Sequence, residues 1–119
     1  MFLEEIDIAV LGAGPAACAI AAACAGAGLR VGGVAPTPRM PWSARYGMWR
    51  SELPSHLAGC VRASWATTSV QIGGDDVAIP AAYVALDSAA LQQVLLRRAE
   101  QAGVRWTVGV ANGVTHDQT

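Results

Sequence analysis

The residues with the clearest chemical purpose lie together in Gly12-Ala13-Gly14-Pro15-Ala16-Ala17. They follow the pattern Gly-x-Gly-x-x-Gly/Ala, with Ala17 in the third small position. Gly12 permits a tight turn out of a strand. Gly14 lets backbone approach a pyrophosphate, where a Cβ would collide. A small residue at 17 lets the following helix lie close to the strand. The phosphates then meet unpaired N–H groups and the positive end of the helix dipole. These six residues are therefore expected to bind a dinucleotide. Such sites place a carboxylate about 20 positions on, where it accepts a bond from a ribose hydroxyl. Here that position is Ala35, read as a cofactor-adjacent residue that must rely on Thr37 or backbone groups instead. Arg39, a lone cation in a Pro-rich stretch, reads as solvated.

Other polar groupings carry less. His56 and Cys60 lie four apart, but two ligands do not make a metal site, so no metal is expected. No Ser/His/Asp or Cys/His arrangement is legible.

The elements around the glycines suit the site. Ile6–Leu11 is a mostly apolar run ending at glycine, as in a strand buried within a parallel sheet. Pro15–Ala25 is helical by propensity, and Gly26 and Gly28 stop it. Arg30–Ala35 reads as a second strand, ended by Pro36 and Pro38. Residues 36–63 show no sustained period and read as a long loop with one helical turn near Leu53–Cys60. Ser64–Ile72 and Val77–Ile79 flank Gly73-Gly74-Asp75-Asp76, a hairpin pattern. Asp87 or Ser88 caps a helix over Ala89–Ala102, with Leu91, Val94, Leu95 and Ala99 on one face and Gly103 at its end. Val104–Val110 is a further strand, and the polar tail Asn112–Thr119 is expected to fray. Right-handed crossovers then give an α/β Rossmann-like fold for FAD or NAD(P), with a parallel sheet in the order 3-2-1 and an inserted loop and β-hairpin. The expected division of residues 1–119 is a β-α-β nucleotide unit (1–35), the insertion (36–85), and the helix with the third strand (86–111).

Composition narrows the partners. The 119 residues are 53% hydrophobic and 14% charged, with a formal net charge of −1. No basic cluster could track a phosphate backbone, so a nucleic-acid partner is not expected. Residues 8–29 are free of charge and long enough to span a bilayer. Gly12, Gly14 and Pro15 interrupt that run, its helical part is Ala-rich, and acidic residues precede it, so no transmembrane segment or signal is expected. The odd set Cys18, Cys24 and Cys60 suits a reducing, cytoplasmic setting.

Beyond the glycines the chain resembles the N-terminal part of plant- and cyanobacterial-type lycopene cyclases, flavoproteins that close rings on a linear carotenoid. Residues 7–35 carry the general FAD-binding pattern. Trp42, Tyr46, Gly47, Trp49 and Glu52 match a more specific block of Trp, Tyr-Gly-x-Trp and an acidic pair, with Ser51 in place of the first acid. Tyr83-Val84-Ala85-Leu86-Asp87, Leu91, Leu95 and Gly103-Val104-Arg105-Trp106 form a third block, common to many flavoprotein hydroxylases, reductases and cyclases. The resemblance implies FAD, with NAD(P)H as a reductant, and an apolar carotenoid or isoprenoid substrate cyclised after protonation by a carboxylic acid. It further implies Tyr46 and Trp49 as substrate-pocket residues, Glu52 as the catalytic acid or a flavin-proximal carboxylate, and peripheral membrane contact in the full-length protein. The later Gly-Asp block and substrate sheet of that family do not occur within these residues, so the expectation is a partial flavoenzyme, inactive alone. Alternatives within reach of the same residues are another FAD-dependent oxidoreductase, a monooxygenase or isoprenoid reductase, or a noncatalytic nucleotide-binding fragment.

Overall fold

The computed structural model describes residues 5–115. The expected fraying of the tail falls partly outside them. Two compact units emerge: the described residues up to Pro41 together with those from Leu95 onward, and Trp42–Val94.

The first unit begins with strand β1 (Ile8–Leu11), helix α1 (Pro15–Gly26) and strand β2 (Val31–Ala35). The second holds β3 (Tyr46–Trp49), two 3-10 turns, β4 (Val61–Trp65), β5 (Thr68–Ile72), β6 (Asp75–Ile79) and β7 (Tyr83–Leu86). Helix α2 (Ser88–Gln101) starts in the second unit and ends in the first, where β8 (Arg105–Val108) follows. The strands of the first unit pair in parallel in the order β1-β2-β8, the expected 3-2-1.

Both helices end in the same way. At the end of α1, Gly28 has φ +93°, its N–H donates to Ala25 C=O at 3.0 Å, and Leu29 N–H donates to Cys24 C=O at 3.2 Å. At the end of α2, Gly103 has φ +102°, and Gly103 and Val104 N–H donate to Glu100 and Ala99 C=O, each at 3.0 Å. These paired bonds satisfy carbonyls left over at a helix end, in a geometry that glycine adopts without strain. Each turn leads straight into a strand, so the glycines set where β2 and β8 begin. At its start α2 is capped by Asp87, whose Oδ1 accepts Ala90 N–H at 2.9 Å. The core of this unit is built from small residues. Val10, Ala21, Val31, Ala99 and Val104 cluster together, with Ala17, Ala22 and Trp106 packed against them.

The second unit corrects the expected long loop. Tyr46–Trp49 and Val61–Trp65 flank Tyr83–Leu86 in an antiparallel sheet of order β3-β7-β4. Short strands joined across long stretches of chain leave no local period, so the pattern of residues 36–63 does not reveal β3 or the start of β4. The hairpin is present but tighter than expected. Gly73 and Gly74 alone form its turn, both at positive φ, and Asp75 and Asp76 belong to β6. Val61–Trp65, read as loop and hairpin, pairs with β7 instead.

The bottom of the parallel sheet is clamped. Asp7 N–H donates to Arg30 C=O at 2.8 Å, and Arg30 returns its backbone N–H, Nε and Nη2 to the Asp7 carboxylate at 2.8, 3.2 and 2.9 Å. The side-chain bond from Arg30, then the backbone one, holds the Asp7 carboxyl below the ordinary carboxylate range. Its contribution is therefore complete above the unfolded-state pKa of about 3.9 and is lost as pH falls through the depressed folded value. We expect Asp7→Asn to flatten the acid limb of a melting-temperature against pH curve. An acid limb identical to that of the parent chain would contradict the clamp.

Candidate functional site

The glycine turn sits at the carboxyl end of β1. Gly12 has φ +117°, and its N–H donates to Val34 C=O at 2.8 Å, which ties the turn to the end of β2. The first bond of α1 runs from Cys18 N–H to Gly14 C=O at 3.0 Å. The N–H groups of Ala16 and Ala17 consequently have no acceptor within the helix, and Pro15 has no N–H at all. No side chain caps this end and no acidic residue stands in the first turn. Gly14 has an extended φ of −79°, so backbone conformation does not demand glycine there. A Cβ built on it meets no protein atom within 4 Å. The space over Gly14 is open, and the dipole of α1 points into it uncompensated.

Ala35 closes β2 at 4% exposure, on the same side of the strand as Val31 and Gly33. Its carbonyl accepts Gly109 N–H at 3.0 Å. Beyond it, residues 36–41, the last turns of α2 and β8 line a cavity of about 920 Å³. Arg39, expected to be solvated only, pairs with Glu100 at 2.5 Å, although its side chain remains 72% exposed. The pairing gives the cavity a polar rim beside its apolar wall of Leu96, Val104 and Trp106.

Trp106 is the residue that sequence reasoning missed. Its indole Nε1 donates to Gly12 C=O at 2.8 Å, across the sheet from β8 to the end of β1. In register, Trp106 lies opposite Gly33, which lies opposite Val10. A Cβ at Gly33 would fall 2.6 Å from Nε1 and 2.7 Å from Cε2. The signal in the sequence was the Gly32-Gly33 pair inside a strand, which marks a close approach by something large.

Tyr46, Trp49 and Glu52 belong to the second unit. Tyr46 lies opposite Leu86, and Trp49 opposite Tyr83, three residues along the same strand. Side chains alternate along a strand, so Tyr46 and Trp49 point to opposite faces. They join different aromatic groups. Trp42 and Tyr46 meet edge to face at 6.0 Å, while Trp49 meets Tyr83 at 5.5 Å and Trp65 lies 6.5 Å from Tyr83. The Trp49–Tyr83–Trp65 row runs across all three strands and stands on the side away from buried Val84 and Leu86. Glu52 is exposed on the 3-10 turn Arg50–Glu52.

The family model for lycopene cyclase protein matches residues 7–119. The chain belongs to the lycopene cyclase family. It is 40% identical over 116 residues to the lycopene beta cyclase of Synechococcus elongatus, an alignment that covers 93% of this chain and 28% of that protein. This cyclase-family chain thus spans under a third of that relative's length. Its fold is similar to that of a geranylgeranyl bacteriochlorophyll reductase-like protein from Thermoplasma acidophilum, with TM-score 0.70 and 17% identity over 94% of this chain and 32% of the other. It is also similar to aklavinone-11 hydroxylase, solved with FAD and aklavinone, with TM-score 0.55 and 20% identity over 89% and 26% of the two chains. The fold is therefore Rossmann-like, and this chain covers only part of it as those larger proteins carry it. Among the described residues, no helix is long and apolar enough to cross a membrane. The charge-free run of residues 8–29 resolves into β1, the turn and α1.

The thiols report on the packing of α1. Cys18 is fully buried, and burial first, then the charge of Glu100, pushes its thiol up to about 11. Cys60 is also buried, and its thiol is raised by burial and then by Asp87. Cys24 is half-buried. At neutral pH we expect iodoacetamide to modify Cys24 first, with Cys18 reacting only as pH approaches its own raised value. Mass spectrometry of the partly labelled chain checks the order. Equal rates at Cys18 and Cys24 would show that α1 does not pack as described.

Proposed function

We propose that this chain forms the nucleotide-binding part of a flavoprotein of the carotenoid-cyclase type, and that Gly12–Ala17 hold the pyrophosphate of FAD. The observation that carries this reading is the open space over Gly14 at a helix start that has neither a capping side chain nor an acid. The residues fit an anionic group well. The N–H groups of Ala16 and Ala17 point out of the helix start, and the dipole of α1 favours negative charge there. The cavity beyond Ala35 is lined by the segment that follows the carboxyl end of β2 and by residues along β8, and suits the adenosine end. Ala35 brings no carboxylate to the ribose, so Thr37 and backbone groups of the 36–41 segment take that place.

Bound in its reduced form, with NAD(P)H as the source of electrons, the flavin would supply electron density that stabilises a developing cation. The substrate on this reading is a carotenoid or related isoprenoid. A carboxylic acid adds a proton to the terminal alkene, a neighbouring alkene closes the ring onto the cation, and loss of a ring proton restores a double bond. The product is an isomer of the substrate, with no net change in atoms or electrons. Within this chain Glu52 is the residue assigned to the acid or flavin-proximal role. Trp49, with its ring on the outward aromatic row, can face a cation without trapping it covalently. Tyr46, on the opposite face, would contribute through Trp42 rather than beside Trp49.

Titration calorimetry of the chain with ADP and with FAD tests the nucleotide site. Both should bind, and Gly14→Val should weaken both by at least about tenfold, or about 1.4 kcal/mol. Because a Cβ at position 14 has no protein atom within 4 Å, far-ultraviolet circular dichroism should not change. Undiminished affinity in a folded Gly14→Val chain would sink the assignment.

A further inference from the structure

We propose that Trp106 is a positioning residue for the glycine turn: its indole N–H holds the Gly12 carbonyl away from the bound anion, and Gly33 is the gap that lets it do so. This rests on the reading of Gly12–Ala17 as the nucleotide cradle.

Gly12 is held from both sides. Its N–H is committed to Val34 C=O at 2.8 Å and its C=O to Trp106 Nε1 at 2.8 Å. The second bond holds the peptide after Gly12 in one orientation, at a residue whose φ of +117° no side chain of its own constrains. The consequence is electrostatic. In a planar trans peptide the C=O of Gly12 and the N–H of Ala13 point in opposite directions. Turning that peptide over would bring carbonyl lone pairs towards the place meant for phosphate oxygens. The indole fixes the carbonyl on the sheet side, and so fixes the direction of the Ala13 N–H as well.

The ring reaches Gly12 only by lying over β2. Trp106 and Gly33 are opposite each other in register, and any Cβ at 33 would lie within 2.8 Å of three indole atoms. The ring also packs against the small-residue core and forms a wall of the 920 Å³ cavity. One side chain thus touches the turn, the core and the space beyond Ala35. Packing alone would be served by Phe, whereas the bond to Gly12 needs the indole N–H.

Amide and indole hydrogen exchange by NMR on the 119-residue chain gives the first test. The Trp106 indole proton should exchange slowly in the parent chain, and fast exchange of that proton in the folded chain would overturn the proposal. In Trp106→Phe, which keeps an apolar ring, the amides of Ala13 and Gly14 should shift and exchange faster while those in the middle of α2 do not. ADP affinity should fall about fivefold, the effect of one hydrogen bond. Gly33→Ala, which displaces the ring without removing it, should reproduce both changes and serves if Trp106→Phe does not fold. Unaltered Ala13 and Gly14 exchange in a folded variant would refute the hold on the turn. Altered exchange with unchanged ADP affinity would refute its bearing on the ligand. Failure of the parent chain to bind ADP would overturn the nucleotide reading and the ligand side of this one, while exchange still decides whether Trp106 holds the turn.

Discussion

An indole can lie flat against a strand only if the strand residue beneath it has no side chain. Gly33 meets that condition under Trp106, and much of the first unit follows from it. With the ring in place, the end of β1 is tied to β8 although the two strands do not pair. β2 lies between them and contributes only backbone at the crossing point. The helices meet this core with small residues, Ala17, Ala21 and Ala99, and the Trp106 ring packs against the same cluster. A Cβ at Gly33 would displace the ring and, with it, the bond to Gly12.

The parts of this unit that were legible in the sequence are those with local punctuation. Gly12 and Pro15 mark where β1 stops and α1 starts, and Gly28 and Gly103 mark where β2 and β8 begin. Strand order followed from crossover handedness rather than from any residue. What escaped is non-local. Pairing of Tyr46–Trp49 and Val61–Trp65 with Tyr83–Leu86 depends on partners distant in the chain, and each strand is only four or five residues long. Gly47, poor for a strand on propensity, is required because the Tyr83 ring lies across it. The same substitution logic thus operates twice, a glycine beneath an aromatic ring in each of the two three-stranded sheets. In neither case does the glycine's own neighbourhood in sequence reveal the ring.

The candidate site was legible to a similar depth. The glycine pattern identifies the turn because the chemistry restricts residue types there. Trp106 was noticed only as part of a family-like block, since a tryptophan in a strand has many uses and only register shows where its N–H goes. The family resemblance assigns Tyr46 and Trp49 together to a substrate pocket. Had residues 46–49 been recognised as a strand, their odd separation would have placed them on opposite faces. The structure divides them between a loop-pinning pair with Trp42 and an outward row with Tyr83 and Trp65. Trp42 is itself secured, since its backbone N–H donates to the buried Gln92 side chain at 3.1 Å.

The β5–β6 ribbon raises a different matter, that of self-association. Its two strands pair only with each other, so each presents an outer edge of unpaired backbone groups. Val70, Ile72 and Val77 are exposed on it, a composition that invites a second ribbon to dock edge to edge. Asp75 and Asp76 stand on β6 at the turn end. Docking another β6 there in parallel would crowd four carboxylates into one small volume, with no basic residue in the ribbon to offset them. The repulsion acts over roughly 8 Å at physiological ionic strength and shortens as salt is added. Two aspartates that look out of place in a strand therefore serve as a colloidal guard, one whose strength the surrounding electrolyte sets.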